Sequence, residues 1–181
     1  GEAAKQLSVC ERLWDELLLD RSGTVVALGG GTATDVAGFV AAVYLRGISW
    51  VPVPSTLVGQ VDAAIGGKTG IDLRKGKNLV GAFHQPSAVV IDVVVLRSLP
   101  ERHLRAALGE AVKMAALGDE RLFDLLEQDG PAIARGDPSA FDQGVVAELV
   151  ERCCDAAAQL GALTGRRAQQ ARDGVLLLVF A

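Results

Sequence analysis

The sequence predicts an α/β fold: a mostly parallel sheet covered by helices, followed by the start of an all-helical region. Three observations carry this. Between Thr24 and Asp92, short apolar runs alternate with helical patterns in the order strand, helix, strand, helix, strand. Twelve of the 21 glycines fall between Gly23 and Gly81, so the loops of that stretch allow close backbone approach to a ligand. After Pro100 the patterns become helical, separated by Gly118-Asp119 and Asp129-Gly130-Pro131.

In chain order, Ala3 to Leu19 carries apolar side chains at helical spacing and predicts an amphipathic helix. Thr24-Val25-Val26-Ala27-Leu28, short, continuous and β-branched, predicts a buried strand. Gly29-Gly30-Gly31 ends it, and Asp35 to Leu45 predicts a helix with almost no polar side. Trp50 to Val53 is a second strand, and Ser55 and Thr56 are N-cap candidates for a helix through Ile65. Thr69 to Phe83 has hairpin content with Lys75-Gly76-Lys77 as its turn, and Ala88 to Asp92 is a further strand. Glu101 to Leu117, Glu120 to Glu127 and roughly Pro138 to Leu160 predict helices. We place a domain boundary between residues 98 and 99, giving 1–98 as the α/β portion and 99–181 as the helical portion. Gly165 to Ala181 fits neither pattern.

Composition narrows the function. The 181 residues are 50% hydrophobic with a net charge of −4, which excludes disorder and argues against a phosphate-tracking nucleic-acid surface. The longest apolar run, Val175 to Ala181, is far short of a membrane span. No signal segment opens the chain, and three cysteines form no disulfide framework, so the expected location is the cytoplasm. Two histidines rule out a histidine-rich metal site.

Three constellations could carry chemistry. A strand ending in Gly29-Gly30-Gly31 and opening a helix presents free N–H groups to an anion, although Thr34 stands where a dinucleotide fingerprint has its third glycine. A plain tight turn is an equal alternative, with Asp35 either capping the helix or accepting from a ligand hydroxyl. Gly66-Gly67-Lys68-Thr69 is not a P-loop, because Asp62 occupies the required glycine position. What remains there, Asp62, Lys68, Lys77 and Asn78, suits an anionic hydroxylated ligand or is solvated surface charge. Glu110 and Lys113, spaced i, i+3, are either a surface ion pair or a metal ligand beside a substrate lysine. Arg46 is similarly open.

Taken in order, these segments resemble one family. Gly1-Glu2-x-x-Lys5, Gly29-Gly30-Gly31-x-x-x-Asp35, Tyr44-x-Arg46-Gly47, Val53-Pro54-Ser55-Thr56-Leu57, Gln60-Val61-Asp62, Gly66-Gly67-Lys68-Thr69-Gly70, Gly76-Lys77-Asn78-Leu79-x-Gly81-Ala82-Phe83, Leu99-Pro100-Glu101-Arg102 and Glu110-x-Val112-Lys113 resemble 3-dehydroquinate synthase. The likeness runs collinearly from Gly1 to about Glu127. It implies a Rossmann-like α/β portion and a lyase of the shikimate pathway that converts a sugar phosphate, DAHP, to 3-dehydroquinate with loss of phosphate. It also implies NAD as a catalytic cofactor, a divalent zinc or cobalt ion, and a homodimer. The implied NAD contacts are Glu2, Lys5, Gly30, Gly31, Asp35, Ser55, Thr56, Lys77, Asn78, Ser98 and Leu99. The implied substrate contacts are Arg46, Asp62, Lys68 and Lys113, and Glu110 is the implied metal ligand.

Some positions depart from the pattern. Ser55 and Ser98 replace threonines, His103 replaces a glutamate, and Asp72 stands where asparagine is common. The resemblance implies a further segment ahead of Gly1 and a Gly-His-x-x-x-His segment with a later histidine. This chain has only His84 and His103, the latter two helical turns (roughly 10 Å) from Glu110. One carboxylate without partner histidines does not hold a catalytic zinc. The expectation is therefore a central portion of the family protein, inactive alone, with a frameshift near Cys154 as the origin of its tail. Other readings are a different sugar-phosphate cyclase such as an amino-dehydroquinate synthase, or a non-catalytic nucleotide-binding fragment.

Overall fold

The computed structural model describes residues 1–163 and 176–180. A single helical turn, Glu2–Ala4, precedes α1 (Leu7–Glu16). The expected Ala3–Leu19 helix is thus shorter at both ends, and tertiary contacts explain each. Lys5 turns inward and its carbonyl accepts from the Asp72 amide at 2.8 Å, which breaks the helix before Leu7. At the other end the Leu17 carbonyl accepts from the Tyr44 hydroxyl at 2.9 Å. Trp14 ties α1 to the next helix by donating to the Val40 carbonyl at 3.1 Å.

β1 (Thr24–Gly29) and β2 (Ser49–Pro54) pair in parallel from Thr24 opposite Ser49 to Gly29 opposite Pro54. Between them runs α2 (Gly31–Val43), which begins four residues before the expected Asp35 because the glycines themselves enter its first turn. β1 is not buried as expected: Val26 is 65% and Leu28 72% exposed, while Ala27 packs with Trp50 and Ile48. An unbroken apolar run hides this one-sided burial, since both faces look alike in sequence.

A wide, π-type turn, Gly59–Ala63, follows β2, and Thr56 caps its approach by accepting from the Gly59 amide at 3.2 Å. β3 (Lys68–Leu73) and β4 (Gly76–Phe83) form the antiparallel hairpin. Its turn is Arg74-Lys75, not Lys75-Gly76-Lys77, because Gly76 and Lys77 are already strand residues, with Gly76 opposite Leu73. β5 (Ala88–Asp92) lies beside β2, with the Ser87 amide donating to the Trp50 carbonyl at 2.9 Å.

After the turn Val94–Ser98 come α3 (Glu101–Ala116), α4 (Glu120–Arg135), α5 (Pro138–Asp142) and α6 (Val145–Leu163). Two expectations fail here. Asp129-Gly130-Pro131 does not end α4, because Pro131 sits on its exposed side while the buried stripe Leu122, Leu125, Ile133 continues past it. Gly136, left-handed at φ 67°, is the actual stop. Conversely, the expected Pro138–Leu160 helix is split at Gly144, which has φ 75°. Of the tail, residues 176–180 form β6 (Leu176–Phe180), parallel to β5 with Ala88 opposite Leu176. The rest of the Gly165–Ala181 stretch lies outside the described residues. No helix among the described residues is long and apolar enough to cross a membrane.

The largest core joins the two parts of the chain. Leu57, Val61, Val89 and Ile91 pack with Leu104, Ala111, Leu122 and Val146. Cys153 and Cys154, on α6, are buried in the same cluster, whereas Cys10, on α1, is buried against Val36, Phe39 and Ile71. Gln60 fastens the wide turn beneath this core. Its side-chain amide is fully buried and donates to the carbonyls of Pro54 (3.1 Å) and Asp92 (2.8 Å), at the ends of β2 and β5. Gln60→Met keeps the volume but strands both carbonyls. We expect a loss of about 2 kcal/mol in urea unfolding, from one buried and one part-buried acceptor left without donors. A midpoint unchanged from the parent would show that water replaces the amide.

Candidate functional site

The site assembles at the N-terminus of α2, where β1 ends and the hairpin folds over. Gly30 is the N-cap and supplies no side-chain cap, so the first amides of α2 have no intrahelical partner. A Cβ on Gly30 would lie 3.0 Å from Thr56 Cγ2, and one on Gly31 would lie 3.0 Å from Ala63 Cβ. These glycines keep open a cradle that any side chain would crowd, and its free N–H groups suit an anionic group. The Ser55 amide donates to the Gly29 carbonyl at 2.9 Å, fixing the neighbouring loop against it.

The turn Glu2–Ala4 brings charge to this cradle. Glu2 accepts from Lys77 at 3.0 Å and from the Thr32 hydroxyl at 3.1 Å, joining the chain start to both the hairpin and the first turn of α2. Lys77 beside it holds the Glu2 carboxyl below its ordinary range, and Glu2 in turn raises Lys77. Lys5, only 3% exposed, donates to Asp35 at 2.7 Å and to the Asn78 side-chain oxygen. Burial pushes the Asp35 carboxyl up, and this outweighs the opposing pull of Lys5.

A cleft of 470 Å³ opens next to this cluster, lined by Asp35, Asp62, Lys68, Asn78 and Phe83 among others. Lys68 and Asp62 approach to 3.6 Å across it. Lys113 on α3 pairs with Glu110, which raises the Lys113 ammonium, and Asp62 adds to that rise. The wide turn therefore sets Asp62 between the lysines of the hairpin and of α3.

Not every predicted residue joins this group. Arg46 is exposed, with a left-handed backbone at φ 66°, and does not line the cleft. Ser98, also exposed, donates to the Val95 carbonyl at 2.8 Å, and Leu99 packs on the large core. His84 has Nε2 2.8 Å from the Ile48 carbonyl, a structural contact, and His103 is exposed on α3. Thr32 and Asp72 are contacts that sequence reasoning did not assign. Both act through partners 30 and 6 residues away, which no local motif signals. Among the described residues no three His, Cys, Asp or Glu side chains converge on one point. Glu110 with Lys113 beside it does not make a zinc donor set, which takes three protein ligands.

A parallel α/β unit with an open helix N-terminus above a lysine-bearing cleft is a Rossmann-like fold of the kind that receives nucleotides and phosphorylated ligands. A family model described as 3-dehydroquinate synthase N-terminal matches residues 1–106. The chain belongs to the 3-dehydroquinate synthase family. The 3-dehydroquinate synthase of Symbiobacterium thermophilum is 54% identical over 151 residues, 82% of this chain and 42% of that protein. That of Halorhodospira halophila is 50% identical over 148 residues, 80% of this chain and 42% of that protein. The chain thus spans about 42% of the length of these relatives. Among solved structures, 2-epi-5-epi-valiolone synthase from Streptomyces hygroscopicus subsp. jinggangensis, with NAD+ and Zn2+ bound, superposes with TM-score 0.82 at 34% identity. That match covers 91% of this chain and 46% of the other.

Proposed function

We propose that this chain is the cofactor-binding portion of a 3-dehydroquinate synthase, with part of the site for its sugar-phosphate substrate. The activity of the whole protein is conversion of DAHP to 3-dehydroquinate with release of phosphate. The observation that carries this reading is the convergence of Glu2, Lys5, Asp35, Lys77 and Asn78 on the open end of α2, beside a cleft bearing Asp62 and Lys68.

The residues present fit NAD. The amides of Gly30 and Gly31 offer donors to its pyrophosphate, and Ser55 and Thr56 add hydroxyls; Ser98 and Leu99 are assigned to it by the family pattern alone. Glu2, Lys5, Asp35, Lys77 and Asn78 bind and orient its ribose and nicotinamide ends. Bound NAD supplies transient oxidation of a substrate hydroxyl. Lys68 and Lys113 hold the substrate phosphate and Asp62 accepts from a substrate hydroxyl; Arg46, which does not line the cleft, is assigned to the substrate by the family pattern alone. Glu110 is the carboxylate that a zinc or cobalt ion takes in the family. The donor set of the described residues does not fit that ion. The domain boundary at 98/99, a homodimer and a cytoplasmic location complete the proposal.

A second reading, another sugar-phosphate cyclase, draws support from the likeness to valiolone synthase. The greater identity to dehydroquinate synthases weighs against it. Calorimetric titration with NAD+, followed by assay of phosphate release from DAHP with NAD+ and Zn2+, tests the proposal. We expect heat of NAD+ binding and no phosphate release above the protein-free rate. A chain that does not bind NAD+ overturns the cofactor assignment, and turnover would overturn the inference that the metal site is incomplete.

A further inference from the structure

The hairpin β3–β4 is irregular near its turn. Leu73 faces Gly76 but Ile71 faces Val80, so Lys77, Asn78 and Leu79 stand opposite the single residue Asp72. This bulge places Asn78 in a left-handed backbone at φ 54°, a conformation uncommon outside glycine but one that asparagine tolerates better than most residues. Asp72 is what holds it: its Oδ1 accepts from the Asn78 amide at 2.8 Å. The Asp72 amide donates in turn to the Lys5 carbonyl at 2.8 Å, and Lys5 Nζ donates to the Asn78 side chain. Lys5, Asn78 and Asp72 therefore form a closed ring of three hydrogen bonds, of which Asn78 lines the cleft while Asp72 stands behind it.

We propose that Asp72 is a positioning residue for the nucleotide site, acting through Lys5 and Asn78. The inference rests on the reading of those two residues as cofactor contacts. The carboxylate oxygen works here as an acceptor for one amide, and its negative charge is incidental. A side-chain amide at the same position presents an equivalent acceptor. Asparagine should therefore serve, and alanine should free the Asn78 amide, loosening the side chain that accepts from Lys5 while the backbone bond to the Lys5 carbonyl stays.

The test compares the full chain with Asp72→Asn and Asp72→Ala, by hydrogen exchange at the Asn78 amide and by calorimetric titration with NAD+. We expect Asp72→Ala to expose the Asn78 amide and weaken NAD+ binding roughly tenfold, the loss of a hydrogen bond that orders a charged group. Asp72→Asn should keep both within about twofold, a rescue that mere hairpin stability does not require. Asp72→Ala with unchanged affinity and a protected amide overturns the proposal. So does Asp72→Asn binding as weakly as Asp72→Ala, since charge would then be what matters. If Asp72→Ala fails to fold, Asp72→Asn alone decides, a marked loss of affinity sinking the idea. Should the unmodified chain not bind NAD+, the cofactor assignment falls. The exchange comparison still decides whether Asp72 holds Asn78.

Discussion

Gly81→Ala is expected to destabilise the chain by about 3 kcal/mol, a large effect for one added methyl group. The reason is where the methyl would go. Gly81 sits directly opposite Gly70 in the hairpin. A Cβ there would lie 2.1 Å from the Thr69 carbonyl oxygen and 2.9 Å from the Gly70 Cα. Both are backbone atoms, so no rotamer change relieves the contact and the two strands must part. Parting them loosens Thr69, whose hydroxyl donates to the Ala82 carbonyl at 2.8 Å, and with it a wall of the cleft. Urea unfolding of Gly81→Ala beside Lys75→Ala, a substitution at the exposed turn, separates the backbone clash from a general hairpin effect. Lys75→Ala should change stability by less than about 0.5 kcal/mol. Equal midpoints for the two variants would refute the close-approach explanation.

Lys5→Met should cost about 3 kcal/mol and abolish the NAD+ binding proposed above, because it removes the buried member of a charge pair and leaves the largely buried Asp35 behind. Asp35, already pushed up by burial, loses the ammonium that opposes that push, and its carboxyl rises further. The sign of the pH dependence follows. A carboxyl whose folded pKa exceeds its unfolded one lets the native state bind more protons, so stability falls as pH rises from the ordinary value near 3.8 through the raised one. Lys5→Met should extend that falling limb to higher pH. A pH series of urea midpoints detects the extension; curves for parent and variant that run parallel would mean that Asp35 does not depend on Lys5.

The alternation of β1, α2, β2 and β5 was legible because each strand is a short apolar run next to glycine or proline; the strands agree to within a residue, while α2 starts four residues early. Failures occurred where tertiary contacts override local signals. Pro131 reads as a helix stop, yet its exposed position leaves the buried stripe of α4 intact. Val26 and Leu28 read as core, yet nothing among the described residues covers their face of β1. Of the candidate site, the motifs name the residues but not their partners. Glu2, Thr32 and Lys77 meet across 30 and 75 positions of sequence, and only the folded hairpin brings them together. Arg46 and Ser98 carry the right chemistry, but their place in the structure does not follow from spacing.

The three cysteines, all buried as free thiols, give the chain its own clock for opening. Burial pushes Cys153 and Cys154 up to about 12, so neither supplies thiolate while the fold is closed. Alkylating reagents can modify them only during excursions that expose α6, whereas Cys10 reports excursions of α1 from α2. Mass-resolved labelling of the unmodified chain would therefore time two regions separately. Matching rates would mean that the α/β and helical parts open as one cooperative unit. Divergent rates would locate the seam along which the molecule comes apart.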